Sequence, residues 1–506
     1  MKGSWIRRNL PEIGAFGLLI FMMAFRLMHS PLWGDEWNEY LFSQEPFARG
    51  RFYRAVVGTF QPPLYNLLMH VWLSLGKSIL WFRLFNLPIG LLSGLLLYAS
   101  VREAAGRRLA LFSVIALAVC HQWVWCIQEC SEYALMTLFL FLALRFYIKT
   151  LEAFTATRFI LFLVGCIGSV WSQYGAVFIT MPLLVSLYMR TVFAHGAPLR
   201  RRLSVTGAYV FCALVFGLPL YYFFLRAQMA HNEIADNTVA PSFALLSDLP
   251  FVPGRLLGFF FALGNYPVWR VVEPVVGATL FILLLIASIK PMKPARSGLL
   301  RCALACYLLH FALVKLHIYA MVRPGESYGF LCRYSFFCIP LLFFVLPAIV
   351  TELAKTLSAG RVRRAVVLLL AVSALLCAFG SARITLRNWR KAYDDKFAEI
   401  WVRNEGWKHR TYLFGFSKPG FHYWTDRHQG AGRIPLDNIR LLPDKNIPDT
   451  FWVWSANWRP GMALRTLDQA KAQGYDIRYE FTDGTNILAF CQRKMNPSAD
   501  PSPIKP

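Results

Sequence analysis

A cluster of carboxylates follows the first long apolar run of the chain. The sequence from Gly34 to Tyr40 reads GDEWNEY. Carboxylates at a membrane surface keep contact with water, so their position alone leaves two roles open. Asp35 can cap a short amphipathic helix running to about residue 48, with Glu36 and Glu39 near its positive end. It can equally serve as a general base whose partly desolvated site raises its basicity.

Basic residues and a proline-bearing segment come next. Arg51 and Arg54 precede the sequence QPPLY, which runs from Gln61 to Tyr65. Two prolines fix the path of the chain into a helix, since proline fits the first helical turn without losing a needed donor. The arginines can bind an anionic lipid phosphate, and headgroup binding or simple solvation explains them equally.

Three later segments carry polar residues of the same kinds. Glu129 lies in the sequence QECSEYAL, Tyr174 in SQYGA, and Arg333 and Tyr334 in CRYSFFCIP. A structural explanation is also open: the arginine can extend its charged end to the membrane surface, and the tyrosines can belong to the aromatic belt there. Four separate loops nevertheless bring acids, arginines and tyrosines to one predicted level of the membrane. This convergence favours a functional site over coincidence.

The composition requires a membrane to position these residues. The 506-residue chain is 56% hydrophobic and 16% charged, with a mean hydropathy of +0.43, which is too apolar for one soluble core. Its net charge of +25 does not indicate nucleic-acid binding, because the basic residues fall mostly in short loops between apolar runs. This distribution is the positive-inside pattern of membrane proteins.

The apolar runs predict a polytopic α-helical membrane protein with about eleven transmembrane helices. They occupy residues 11–33, 82–102, 109–127, 132–150, 158–172, 173–190, 204–225, 270–289, 299–320, 331–352 and 364–384. Another apolar segment, Pro62 to Gly76, is predicted to lie at the outer surface. Only then do the basic loops share the cytoplasmic side while the acids face outward, with the N-terminus inside. The first run is a retained helix, since no convincing signal-peptidase site follows it.

Three consecutive regions follow from these boundaries. Residues 1–384 form the membrane domain, and residues 34–81 within it are the first periplasmic loop, which carries surface helices. Residues 385–494 form a small periplasmic α/β domain, with strands near 412–416, 451–455, 475–481 and 487–492 and a helix over 462–472. Residues 495–506 form a disordered tail.

The cysteines and acids give only a weak indication of a metal. The eleven cysteines lie mostly in apolar runs and show no CxxC spacing, as expected for small buried side chains. A divalent cation between Asp35 and Glu129 stays open, because hard cations bind carboxylate oxygens. No spacing demands one, so no cofactor is expected to be required.

The order of the motifs resembles the GT-C superfamily of glycosyltransferases. The DE pair, QPPLY, Arg83-Leu84, the second-loop QE with YAL, SQYGA and CRYSFFCIP occur in that order over roughly the first 350 residues. They resemble most the branch with protein O-mannosyltransferases and the lipid A aminoarabinose transferase. Gln61, Ser131 and Gln173 replace the His, Arg and His of many members, which puts the substrate's identity in doubt.

The resemblance makes residues 1–384 a GT-C-like catalytic domain and implies a role for each matching residue. Asp35 corresponds to the catalytic base and Glu36 to its acidic partner, while Arg333 and Tyr334 hold the lipid phosphate. We assign Arg51 and Arg54 to the same phosphate, and the expected substrate-binding residues are Glu129, Tyr65, Tyr174 and Gln61. The implied donor is a sugar on a polyprenyl monophosphate, and the acceptor is lipid-linked, glycan or protein.

The sequence therefore predicts an inverting glycosyltransferase of a bacterial inner membrane, embedded in the lipid bilayer and acting at its periplasmic face. A flippase or transporter of lipid-linked sugars is the alternative, as is a polymerase or ligase of surface polysaccharide. A transporter predicts polar residues deep in several helices, whereas here they gather near the outer helix ends.

Overall fold

The structure is a computed structural model in two units. The first unit comprises Met1–Met28 and Glu39–Trp389, and the second comprises His29–Asn38 and Arg390–Pro506. The residues described are 2–25, 27, 34–59, 61–193, 198–230, 249–250, 252–261, 267–289, 294–315, 336–356, 399–401, 403–405, 408–414, 436–437, 448–455, 460–482 and 487–494.

The first unit is helical. In chain order the described α-helices up to Thr356 are α1 (Lys2–Ala24), α2 (Gly34–Phe42), α3 (Arg51–Gly58), α4 (Leu64–Ser74), α5 (Ile79–Leu84), α6 (Asn86–Ala105), α7 (Arg107–Ala118), α8 (His121–Gln128), α9 (Glu132–Glu152), α10 (Ala156–Ser172), α11 (Val177–Val192), α12 (Leu199–Cys212), α13 (Arg226–Ala230), α14 (Val252–Phe260), α15 (Pro267–Ile289), α16 (Pro294–Lys315) and α17 (Cys338–Thr356).

Several of these helices match the length of a bilayer. Among the described residues, the stretches long and apolar enough to cross one are Ile79–Ala105, Glu132–Glu152, Tyr174–Val192, Leu199–Met229 and Val271–Ile289. Helices α7 and α8 form a sixth span if their 61° bend lies within one crossing. Shorter apolar helices are Asn9–Ala24, Ala156–Ser172, Ser297–Ala312 and Cys338–Pro347.

Each of the first ten predicted apolar runs overlaps one of these helices. The eleventh run, 364–384, lies outside the described residues, so a count of eleven spans stays a prediction. The chain is a helical membrane protein, since soluble proteins do not contain so many helices of this length and apolarity.

Short helices occupy the predicted first outer loop. Helix α2 ends at Phe42 rather than near residue 48, and it begins at Gly34, so Asp35 lies in its first turn. Helix α4 has eleven residues and rises about 16 Å, roughly half the thickness of the hydrocarbon core. Its length supports the surface placement of Pro62 to Gly76.

Small residues allow the neighbouring helices α9 and α10 to pack closely. A Cβ atom on Gly165 would lie 2.5 Å from the backbone nitrogen of Ala143, too close for any side chain. Such contacts replace the hydrophobic effect as a source of stability between helices in lipid. They hold the middle of α9 against the middle of α10.

The seventh predicted span is unlike the others. Leu199–Met229 is a 31-residue helix whose apolar window is only 6% buried, against 56% in Glu132–Glu152. Two π-helical segments, Ala213–Gly217 and Leu220–Leu225, interrupt its α-helical hydrogen bonding. Wider π-helical turns release backbone carbonyls for other donors. One such carbonyl, that of Phe223, accepts a 2.5 Å hydrogen bond from the hydroxyl of Tyr53 on α3.

The second unit contains a five-stranded mixed sheet. Its strands are β1 (Arg410–Phe414), β2 (Leu436–Asp437), β3 (Thr450–Ser455), β4 (Tyr475–Thr482) and β5 (Ile487–Arg493), in the order β2-β1-β3-β5-β4. Strands β1, β2 and β3 are parallel, whereas β5 pairs antiparallel with β3 and β4. Helix α18 (Pro460–Ala472) lies between β3 and β4 in the chain. The four predicted strands and the predicted helix lie within about two residues of their expected positions, whereas β2 was not predicted.

Alternating residues of β3 explain why both faces of the sheet are apolar. Phe451 and Val453 join the core that includes Leu467 of α18. Trp452 and Trp454 alternate with them along the strand and are also buried. A strand buried on both faces is typical of the centre of an α/β sheet.

Candidate active site

Tyr65 joins three helices at one end of the first unit. Its side chain is 1% exposed, and its hydroxyl donates a 3.3 Å hydrogen bond to Oδ1 of Asn86 on α6. The amide nitrogen of Asn86 donates in turn to the carbonyl of Cys126 on α8, over 3.4 Å. The predicted substrate-binding residue Tyr65 therefore lies in a buried polar network rather than in an aromatic belt facing lipid.

A second network lies one residue further along α4. The amide of Asn66 donates hydrogen bonds to Oε2 of Glu39 over 2.5 Å and to Oγ of Ser43 over 3.2 Å. Nδ1 of His70 lies 2.8 Å from the carbonyl oxygen of Ser43. Glu39 and Ser43 are four residues apart, so both face α4 from the same side of the chain. Sequence reasoning placed Glu39 in the acidic cluster but gave it no role in the site.

Carboxylates from the two predicted outer loops influence the same phenol. Burial raises the pKa of Tyr65 well above its usual value, and the negative charges of Glu39 and Glu132 add to the increase. Glu39 comes from the first of these loops, whereas Glu132 comes from the second. Within the first unit, the structure therefore brings together the two acidic loops that the sequence predicted to converge.

The second loop turns sharply between its two acids. Glu129 and Glu132 are each 3% exposed, and Cys130 between them has a left-handed φ of 46°. A non-glycine residue in this region is strained and is held there by its surroundings. One such contact is the hydrogen bond of 3.4 Å from the Cys130 thiol to the carbonyl of Phe82. This turn buries Glu129, which was predicted to bind substrate.

Arg83 is a buried cation that sequence reasoning used only as part of a motif. Its side chain is 2% exposed, and one guanidinium nitrogen donates a 2.6 Å hydrogen bond to the carbonyl of Leu27. Arg83 directly follows Phe82, whose carbonyl holds the second loop. Arginine is almost never fully buried unless it is paired, so the burial of Arg83 is what marks it as special. Burial is not visible in the sequence, and sequence reasoning therefore gave Arg83 no role of its own.

Tyr174 and Gln61 lie in a separate network. The Tyr174 hydroxyl donates to Oε1 of Gln228 over 2.7 Å, and Nε2 of Gln228 donates to the carbonyl of Gln61 over 2.8 Å. The two residues predicted to bind substrate are thus linked by a third that the sequence did not indicate. Gln173, which precedes Tyr174, is buried and accepts a hydrogen bond of 2.5 Å from the backbone of Gly175.

The arginines of α3 face away from these networks. Arg51 and Arg54 are exposed, whereas Phe52, Val56 and Val57 form the buried face of the same helix. Neither arginine forms an ion pair with another described residue. Their guanidinium groups are therefore available to a phosphate or to solvent.

The predicted base and the predicted phosphate ligands are less fully described. Asp35 lies in the first turn of α2 and its side chain is outside the described part. Glu36, in the same turn, is 1% exposed. Arg333 and Tyr334 lie outside the described residues. The roles of these four residues stay predictions.

Metal binding has little support in the described part of the chain. Those residues contain no group of three His, Cys, Asp or Glu side chains that could hold a metal ion. Glu129 is among them, whereas the side chain of Asp35 is not. The open question of a cation between these two carboxylates is unchanged.

Comparison with known proteins agrees with the motif order. Residues 60–223 match the family model of dolichyl-phosphate-mannose-protein mannosyltransferases. No curated protein sequence matches the chain. The crystal structure of ArnT from Cupriavidus metallidurans bound to undecaprenyl phosphate is similar, with a TM-score of 0.55 and 16% identity over 97% of this chain and 98% of that one. Its apo structure matches with a TM-score of 0.55 and 17% identity over the same shares.

These matches confirm the predicted resemblance. The fold is similar to that of the two ArnT structures. The chain resembles the branch of ArnT and the protein mannosyltransferases, since the family-model match begins just before QPPLY and runs into the seventh predicted span.

Proposed function

We propose that this protein is a GT-C-type glycosyltransferase that moves a sugar from a polyprenyl-monophosphate donor to a periplasmic or lipid-linked acceptor. The observation that carries the proposal is that the two acidic loops meet the same helices: Glu39 binds Asn66 beside the buried Tyr65, which binds Asn86, and Cys130 binds the carbonyl of Phe82. Both loops belong to a chain whose fold is similar to that of an enzyme crystallised with undecaprenyl phosphate. Polar groups gathered near helix ends, rather than deep in the spans, favour transfer over transport.

The proposed reaction is a single displacement at the anomeric carbon. The acceptor hydroxyl gives its proton to Asp35 as its oxygen forms a bond to that carbon, while Glu36 lies in the same helical turn. The bond between the carbon and the phosphate oxygen breaks, and polyprenyl phosphate leaves. One displacement without a covalent intermediate inverts the anomeric centre.

The leaving phosphate gains negative charge that cations can stabilise. Arg333 can do so through a two-pronged contact, and Tyr334 through its hydroxyl. Arg51 and Arg54 are exposed on α3 and are the described residues that we assign to the same phosphate. Glu129, Tyr65, Tyr174 and Gln61 are assigned to the sugar and the acceptor.

The location follows from the same proposal. The enzyme lies in a bacterial inner membrane, with its donor's tail in the bilayer and its sugar at the periplasmic face. The positive-inside distribution supports this orientation, because it places the basic loops in the cytoplasm and the acidic loops outside.

Replacing Asp35 by Asn tests the proposal. Asn keeps the size and the hydrogen-bonding ability of the side chain but removes the basic oxygen, so folding is retained while proton transfer fails. Transfer of labelled sugar from a polyprenyl-phosphate donor by purified protein in lipid should fall about 10²- to 10⁴-fold. Wild-type protein that transfers no sugar would refute the function. Transfer by Asp35→Asn at the wild-type rate would refute only the role of Asp35 and move the search to Glu36 and Glu129.

A further inference from the structure

Gln228 lies where three separate parts of the first unit meet. It belongs to α13, at the end of the 31-residue helix Leu199–Met229, and its side chain is 3% exposed. Tyr174 follows α10, and Gln61 lies between α3 and α4. The side chain of Gln228 thus stands between elements that are far apart in the sequence.

The amide of Gln228 uses both its donor and its acceptor ends. Oε1 accepts the hydrogen bond of 2.7 Å from the Tyr174 hydroxyl. Nε2 donates to two backbone carbonyls, that of Gln61 at 2.8 Å and that of Val56 at 3.4 Å. A side-chain amide has two N–H groups and one carbonyl, so each of its three groups has a partner here.

The two carbonyls differ in their other partners. The carbonyl of Val56, in the last turn of α3, also accepts hydrogen bonds from the backbone N–H of Thr59 at 3.1 Å and from the Thr59 hydroxyl at 2.8 Å. Gln61 precedes two prolines, which have no N–H and which come just before α4, and its carbonyl accepts from Gln228. A carbonyl that loses its donor away from water costs stability, so Gln228 stabilises the chain path into α4 mainly through Gln61.

This chain path determines where Tyr65 lies. Only three residues separate Gln61 from Tyr65, and the two prolines among them leave little freedom. Tyr65 in turn bonds Asn86, and the next residue, Asn66, bonds Glu39. A displacement of Gln61 would therefore be passed on to both buried networks of the site.

We infer that Gln228 is a positioning residue that fixes the start of α4, and with it Tyr65 and Asn66, to the outer end of the seventh span. Its contribution to sugar transfer rests on the proposed function, whereas its effect on α4 does not. Gln228 acts through Gln61 and touches no reacting atom in this proposal.

The decisive variant is Gln228→Met, measured by hydrogen exchange of the full-length protein in lipid nanodiscs. Met keeps the length and the apolar volume of Gln but cannot donate to the two carbonyls. Backbone amides in α3 and α4 should exchange about tenfold faster, as expected when hydrogen bonds that restrain local opening are lost. Unchanged exchange in α3 and α4 would overturn the inference.

A milder variant and a matched control keep the test informative. Tyr174→Phe removes only the hydroxyl bonded to Gln228, so it should accelerate exchange of α4 less than Gln228→Met, and it serves if the Met variant fails to fold. Tyr209→Phe removes a comparable hydrogen bond of 2.9 Å, to the carbonyl of Leu184, from the same long helix. Its α3 and α4 should exchange as in the wild type, and acceleration in this control would also refute a specific role for Gln228.

Steady-state kinetics of sugar transfer then show whether Gln228 positions the site or only stabilises the local fold. Gln228→Met should lower kcat about tenfold with little change in KM for the donor, because Tyr65 is displaced while the exposed arginines of α3 remain. Gln228→Glu keeps the shape but places a carboxylate against two carbonyls, so it should behave like Gln228→Met. Faster exchange with unchanged kcat would limit Gln228 to a structural role. Absence of transfer in every protein, wild type included, would refute the proposed function and leave the exchange result standing.

Discussion

Glu39 and Asn66 form a buried hydrogen bond of 2.5 Å between α2 and α4. The residues are 27 positions apart, and both side chains are almost fully buried. A carboxylate held in this way needs its donor, because removing the donor leaves the acid without one hydrogen bond in a dry environment. The pair therefore links the stability of the first outer loop to the geometry of the site.

Asn66→Leu should destabilise the protein by about 1.5 to 3 kcal/mol, the range for a hydrogen bond to a charged group. Chemical unfolding in detergent measures the loss. Adding Glu39→Gln should recover part of it, since a neutral amide is less costly to leave unpaired than a carboxylate. The control is Ser74→Ala, which removes only a hydrogen bond from an exposed serine to Val71 of its own helix. Equal stabilities of Asn66→Leu and Ser74→Ala would show that the buried bond contributes nothing.

Arg333→Ala should weaken use of the donor while leaving the fold intact. Loss of a charge-assisted contact to phosphate predicts a fall of about 10- to 100-fold in kcat/KM for the polyprenyl-phosphate donor. Arg333→Lys should recover only part, because lysine lacks the planar fork of arginine. Arg403→Ala is the matched control, since that side chain is 74% exposed and its partner among the described residues is Glu399, four positions earlier. Unchanged donor kinetics in Arg333→Ala would remove the residue from the phosphate site.

The predicted topology has a direct chemical test. Single cysteines placed at Ala105 and Gly430, in a background without the native cysteines, should differ in labelling by a membrane-impermeant maleimide in intact cells. The positive-inside distribution predicts that the cysteine at 430 reacts and the one at 105 does not. The reverse result would invert the orientation and place the acidic loops in the cytoplasm.

His409 should make the sheet of the second unit sensitive to acid. Its ring packs on Phe490 at 5.1 Å, its Nδ1 lies 2.7 Å from Oγ1 of Thr450, and partial burial lowers its pKa. The unfolded chain therefore takes up a proton more readily than the folded sheet. The contribution of neutral His409 to the stability of the sheet is fully present above about pH 6.5, the pKa of histidine in the unfolded chain. It is lost as the pH falls from there toward the lower pKa of His409 in the folded sheet.

Hydrogen exchange of β1 and β3 in the full-length protein, corrected for intrinsic rates, tests this expectation. Local stability should fall between about pH 7.5 and pH 5 in the wild type. His409→Phe keeps a ring against Phe490 but cannot be protonated, so its stability should depend less on pH. Identical pH profiles for the two proteins would exclude His409 as the titrating group.

Local features of the sequence were enough to predict the helices. An apolar run of about 20 residues matches the bilayer wherever it occurs, and the basic loops orient the runs, so neither inference needs a distant contact. Short apolar runs rich in aromatic and branched residues predicted β3 and β5 in the same way. The order of the motifs then indicated a resemblance to the superfamily, and the fold is similar to that of the two ArnT structures.

Other features of the site depend on contacts between distant residues. Tyr65 bonds Asn86 across 21 residues, and Gln228 bonds Gln61 across 167. A side-chain amide looks the same in the sequence whether it is solvated or buried between helices, so neither Gln228 nor Asn66 stood out. The sequence by itself determined which segments are apolar enough to enter a membrane and which polar residues flank those segments. Only the tertiary structure decided which of them meet, because burial and hydrogen-bond geometry arise when the helices pack.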